Sequence, residues 1–143
     1  MIVLDTNVVS ESWKPEPNPA VALWLNAQPT YSLYLCTPVL AELRFGIERL
    51  PNSRRRTFLE SWVARLEAEA FRDRILPLDL AAAAEFGRLA ARREKLGRRM
   101  EPMDALIAGI AASQGATLAT RDTSDFDDLG LELINPFEVS ASR

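Results

Sequence analysis

Asp5, Glu42, Asp104 and Asp122 are carboxylates spread over the whole chain, and each falls near the beginning or end of a regular element. Carboxylates are also the groups on which demanding chemistry must rest here. The sequence contains no histidine, which removes Ser-His-Asp triads, Cys-His pairs and the commonest transition-metal ligand together. Cys36 is the single cysteine, so an intrachain disulfide and a cysteine-rich zinc site are excluded. It fits a reducing compartment and reads as a small core hydrophobe. If the carboxylates meet, each like-charged pair ~4 Å apart repels by roughly 4 kcal/mol at an effective dielectric of about 20, so the group needs protons or cations. With oxygen ligands alone, Mg²⁺ or Mn²⁺ is the natural ion. The chemistry expected of such a site is phosphodiester hydrolysis, with one or two ions activating water and stabilising the leaving oxygen.

Whether they meet depends on the elements that carry them. The chain has 143 residues, 48% of them hydrophobic and 26% charged, which suits one α/β domain with a real core. Ile2-Val3-Leu4 is a continuous apolar run, as in a strand buried on both faces of a parallel sheet, and Asp5 ends it. Asp5, Thr6 or Asn7 also suits a plain helix cap, and the fragment alone leaves both readings open. Asn18-Pro19 opens a helix to about Ala27, and Tyr34-Leu35-Cys36 is a second buried strand. Thr37-Pro38 reads as cap and first residue of a helix to about Leu50, with Glu42 at the flank of its apolar stripe. An amphipathic helix is expected over 54–70, a short strand at Ile75–Leu78, and a long helix from Leu80 to Leu96 closed by Gly97. From Pro102 comes a helix apolar almost all round, with Asp104 its only charge. Burying that carboxylate without hydrogen bonds or a cation is expensive, which favours a functional role over a dipole partner. Strands at 116–120 and 131–134 complete a central, mainly parallel sheet flanked by helices. Ligands gather outside the carboxyl ends of such strands. Asp5 and Asp122 fall at that edge, and the helices bearing Glu42 and Asp104 begin there, with Asp125 close by as a fifth acid.

The net charge of −3 gives no basic mean field, so contact with nucleic acid must come from local patches. The most basic stretch carries Arg88, Arg92, Arg93, Lys95, Arg98 and Arg99. It is either a solubilising face or a rail for an anionic backbone. Arg54-Arg55-Arg56 opposes the dipole at its helix start, and a solvated charge run stands beside a partner role there. No run approaches the ~18 apolar residues of a membrane span, and the N-terminus has no basic leader, so a cytoplasmic protein is expected.

Taken together, Ile2-Val3-Leu4-Asp5-Thr6-Asn7, Ala41-Glu42-Leu43, Pro102-Met103-Asp104-Ala105-Leu106-Ile107-Ala108, and Ala119-Thr120-Arg121-Asp122 with Asp125-Phe126 resemble the four acidic motifs of PIN-domain nucleases. The likeness is greatest to the VapC and FitB toxins of bacterial toxin–antitoxin operons, and it runs through essentially the whole chain, implying one PIN domain over 1–143. It implies a Mg²⁺-dependent endoribonuclease, with Mn²⁺ able to substitute, that cuts structured or messenger RNA. It further implies a homodimer held inactive by a VapB-like antitoxin. By this resemblance Asp5, Glu42, Asp104 and Asp122 form the catalytic cluster, and Asp5, Asp104 and Asp122 bind metal. Thr6, Asn7 and Thr120 orient ligands or substrate. Arg88, Arg92, Arg93, Arg98 and Arg99 would hold the RNA backbone, while Arg54-Arg55-Arg56 is open to either RNA or antitoxin. Many relatives carry Asn at the position of Asp122 and keep the acid at that of Asp125; this chain offers both, with Asp125 the alternate ligand.

Two rival classes compete with this reading. A haloacid-dehalogenase-like phosphatase also places an Asp after its first strand but needs another acid two residues on, where this chain has Asn7. A non-catalytic protein-binding module of the same fold would be marked by loss of a clustered acid, and none is missing.

Overall fold

The computed structural model describes residues 1–138; residues 139–143 of the expected domain lie outside them. Five strands form one sheet in the order β3-β2-β1-β4-β5: β1 Ile2–Leu4, β2 Leu33–Cys36, β3 Ile75–Leu76, β4 Thr117–Ala119 and β5 Leu133–Ile134. Every pairing is parallel. β1 is therefore central, and its continuous apolar run suits a strand covered on both faces. Val3, Leu35 and Leu118 are fully buried at the middle of the sheet. Parallel pairing demands crossovers, supplied by α1 Thr6–Ser10, α2 Pro19–Ala27, α3 Thr37–Glu48, α4 Arg54–Arg65, α5 Leu80–Lys95 and α6 Pro102–Ser113. No helix among the described residues is long and apolar enough to cross a membrane.

Local signals act much as their chemistry requires. Asn18 caps α2 by accepting from Ala20 N at 3.0 Å, and Pro19 occupies the first helical turn. Asp79 caps α5 through Ala82 N at 2.9 Å, and Gly97 closes it at φ 74°. α3 begins one residue earlier than expected: Thr37 is already helical and Cys36 precedes the helix. The second position also tolerates proline, because the first-turn N–H groups have no intrahelical acceptor. The expected 54–70 helix changes pitch. After Arg65 it widens into a π turn over Leu66–Ala70, closed by Phe71 N donating to Leu66 O at 2.9 Å. β5 is shorter than expected because Asp128 and Gly130 turn the chain at positive φ just before it.

α5 and α6 form the most extensive helix pairing, and glycine permits its closeness. A Cβ at Gly109 would lie 2.8 Å from both Ala82 O and Phe86 N. The α6 helix is thus pressed onto α5 backbone to backbone, which sets the position of Asp104 one turn and a half upstream.

Candidate active site

Asp5 follows β1 directly, and its backbone remains in the sheet, since Asp5 N donates to Ala119 O at 2.9 Å. The side chain is 5% exposed and caps α1, with Oδ1 accepting from Thr6 N at 2.8 Å. Its Oδ2 accepts from the Thr120 hydroxyl at 2.7 Å and more weakly from Asn7 Nδ2 at 3.3 Å. The capping and functional readings of this fragment are therefore compatible. The same carboxylate caps a helix and faces the sheet edge.

Asn7 links the two ends of the chain. Its amide nitrogen also donates to Asp122 Oδ2 at 3.0 Å, while its Oδ1 accepts from Arg121 N at 3.2 Å. Thr120 works from the other side, accepting from Asp122 N at 3.1 Å through the oxygen that donates to Asp5. Glu42 is brought in from α3 by the Thr6 hydroxyl, which donates to Oε1 at 2.7 Å. Thr6, Asn7 and Thr120 thus tether three of the four acids expected to converge.

Asp104 is held differently. It is half-buried on the first turn of α6, and no described residue donates a hydrogen bond to its carboxylate. Burial raises its pKa to about 7, followed by the charges of Asp5, Asp125, Glu42 and Glu101. Burial likewise raises Asp5, against the lowering effect of the Thr120 and Thr6 hydrogen bonds, with Glu42 and Asp122 adding to the rise. Behind the cluster, burial pushes the Cys36 thiol up to about 12 and leaves it inert. Asp125 lies in the field of Asp104, while Asp122 is hydrogen-bonded into the network through Asn7.

The expected RNA rail divides into different kinds of residue. Arg93 is 4% exposed, and its guanidinium donates to the carbonyls of Arg98 at 3.1 Å, Asp125 at 2.9 Å and Asp127 at 3.1 Å. This is a correction: Arg93 is a strut from α5 to the loop after β4, because a buried guanidinium must spend its donors on fixed acceptors. Arg98 braces the same loop through Ser124 O, Asp127 and Asp128. Arg88 pairs with Glu85 at 2.6 Å. Arg92 and Arg99 are exposed and have no ion-pair partner among the described residues. In the other basic run, Arg56 is tied to Glu48, Glu60 and Leu50 O.

Residues 2–131 match the family described as PIN domain. The chain belongs to the PIN-domain family. Within it, this PIN domain is 45% identical to the VapC ribonuclease Y4jK of Sinorhizobium fredii, over 96% of the chain and 99% of the relative. It is 34% identical to toxin FitB of Neisseria gonorrhoeae, over 96% and 99%. The structure of FitAB bound to the IR36 DNA fragment superposes with a TM-score of 0.92 at 32% identity, covering 100% of both chains. The resemblance to VapC and FitB toxins seen in the motifs is thereby established over nearly the full length.

PIN-domain nucleases of the VapC type generally depend on a divalent metal ion. The described residues contain no preformed group of three or more acidic ligands that could hold one as the side chains stand. That still fits Mg²⁺, which keeps several waters and is typically held by one or two carboxylates plus substrate phosphate. Asp104 supplies the supporting observation: it is a partly buried acid with no donor and several acidic neighbours, and a cation relieves that repulsion.

The sequence does not mark Glu101 or Asn135 as neighbours of the site, and it marks Arg93 only as a member of the basic run. Glu101 directly precedes Pro102 and so necessarily stands at the mouth of α6. Arg93 and Asn135 gave no local signal, because their partners lie 32 and 14 residues away.

Proposed function

We propose that this chain is a metal-dependent endoribonuclease acting as the toxin of a VapBC- or FitAB-type pair, with Mg²⁺ as its ion and Mn²⁺ as a substitute. The reading rests above all on one observation: Asn7 joins Asp5 to Asp122 at the carboxyl edge of the sheet, while Thr6 adds Glu42. Such a cluster is costly unless used. Asp5, Asp104 and Asp122 would hold the ion, with Asp125 as alternate ligand, and Glu42 completes the catalytic acids. When bound, the ion supplies charge stabilisation and a more acidic water. Thr6, Asn7 and Thr120 orient the carboxylates through the hydrogen bonds they donate. Hydrolysis adds water across one P–O bond, leaving phosphate on one RNA end and hydroxyl on the other. Of the basic run, Arg92 and Arg99, exposed and without an ion-pair partner among the described residues, would meet the RNA backbone. The whole chain acts as one PIN domain, in the cytoplasm, as a homodimer restrained by a VapB-like antitoxin.

Asn7 also weighs against the phosphatase alternative, since an acid in its place would face two carboxylates instead of bridging them. The deciding experiment compares the protein with Asp5→Asn on a panel of purified RNAs in Mg²⁺, Mn²⁺ or EDTA. Cleavage that requires both metal and Asp5, in a variant with unchanged circular dichroism, is expected. Full cleavage by Asp5→Asn would sink the mechanism, and no cleavage by the unaltered chain would return the site to a docking role.

A further inference from the structure

One cationic side chain stands among the clustered acids, and the four motifs leave it without a task. Among the described residues, Arg121 is the only basic side chain within ion-pair range of any of Asp5, Glu42, Asp104, Asp122 and Asp125, with its Nε 3.7 Å from Asp122 Oδ1. That contact is long, and the side chain is 50% exposed, so it explains little as a salt bridge. The position is nevertheless fixed from three sides. Arg121 N donates to Asn7 Oδ1 at 3.2 Å, and Arg121 O accepts from Asn135 Nδ2 at 3.3 Å. Its guanidinium lies over the Phe137 ring with Cζ 5.4 Å from the centroid. Phe137 is itself placed by its N–H, which donates to Asn135 Oδ1 at 2.9 Å. The two terminal Nη groups donate no hydrogen bond to any described residue.

We propose that Arg121 is a substrate-binding residue that grips an RNA backbone phosphate next to the one being cut, a reading that rests on the ribonuclease function proposed above. An anionic backbone approaching this edge is repelled by the acids, and a cation must offset that locally. A guanidinium suits the task because its planar fork binds phosphate bidentately and is always charged. Stacking on Phe137 and anchoring of its backbone reduce the ordering that binding would otherwise require. Arg92 and Arg99 lack any comparable fixation among the described residues.

The test uses the full chain and its Arg121→Gln and Arg121→Lys variants. Binding of a fluorescein-labelled 12-nucleotide RNA of mixed sequence is followed by anisotropy in EDTA over a series of salt concentrations. Steady-state cleavage in Mg²⁺ is measured on an RNA that the unaltered protein cuts. Loss of one phosphate contact is expected to reduce the slope of log affinity against log salt by about one in Arg121→Gln. Its KM should rise about tenfold while kcat changes far less, as for uniform binding. Arg121→Lys should restore the slope and part of the affinity. An unchanged slope and KM in Arg121→Gln, with the unaltered protein cutting normally, overturns this role and leaves the nuclease reading intact. A lowered melting temperature in both variants, with no rescue by lysine, also overturns it, in favour of a structural part. If the unaltered chain cuts no RNA at all, both readings fall together.

Discussion

At the scale of the residue, the cluster is a set of charges managed by small polar groups. Asp104 is the unmanaged one. In the unfolded chain it titrates near 3.8, whereas in the fold it holds its proton to about 7. Between those values the folded protein binds a proton that the unfolded chain has released, so stability falls as pH rises through this window. Asp5 shifts the same way and adds to the trend. In EDTA, the melting temperature contributed by this site should therefore drop between about pH 5 and about pH 8, and added Mn²⁺ should raise it more at the higher pH, where proton competition is weaker. Differential scanning fluorimetry at both values checks this; an equal metal effect at both would contradict it. Asn7→Asp should be worse than its small size suggests. It removes the amide shared by Asp5 and Asp122 and adds a third negative charge, costing on the order of 1–3 kcal/mol in urea unfolding and lowering cleavage at least tenfold. The acids and their order were legible in the sequence because each follows an apolar run or a proline. Thr6, Asn7 and Thr120 were legible as orienting groups only through the family resemblance; which acid each one holds was not, because those bonds form only when the chain closes on itself.

At the scale of the element, the helices are aiming devices. Glycine is a poor helix former, yet at Gly109 α6 comes so near the α5 backbone that an added Cβ would lie 2.8 Å from it. Gly109→Ala should cost about 1–3 kcal/mol despite better helix propensity, because the atoms in the way are main chain and cannot rotate aside. Cleavage should fall with it, since α6 carries Asp104; a variant as stable as the parent in urea would refute the close-packing account. Arg93→Met removes the donors to three partly buried carbonyls, costing about 1–3 kcal/mol in all, and should lower the urea midpoint and loosen the loop that bears Asp122 and Asp125. Helix positions followed from proline, asparagine and apolar spacing. The buried arginine did not, because a basic run with helical spacing has the same letters whether one member turns inward or all face water.

At the scale of the whole molecule, the all-parallel sheet explains why residues so distant in sequence form one edge. Each crossover returns the chain to the same starting edge, so the ends of β1, β2 and β4 lie on one side together with the starts of α1 and α3. The fold class was legible from continuous apolar strands alternating with amphipathic helices. The strand order was not, because it depends on which crossover packs on which face. The central position of β1 has a further consequence for how the protein is made. β1 is synthesised before the other strands, yet one of its two neighbours, β4, spans Thr117–Ala119, and the Asn7 bridge to Asp122 closes over 115 residues. A nascent chain carries Asp5 and Glu42 early, but no assembled site until Asp122 has been synthesised. A copy cut short before Asp122 is a blank cartridge, passing harmlessly beside the RNA that the finished protein would cut.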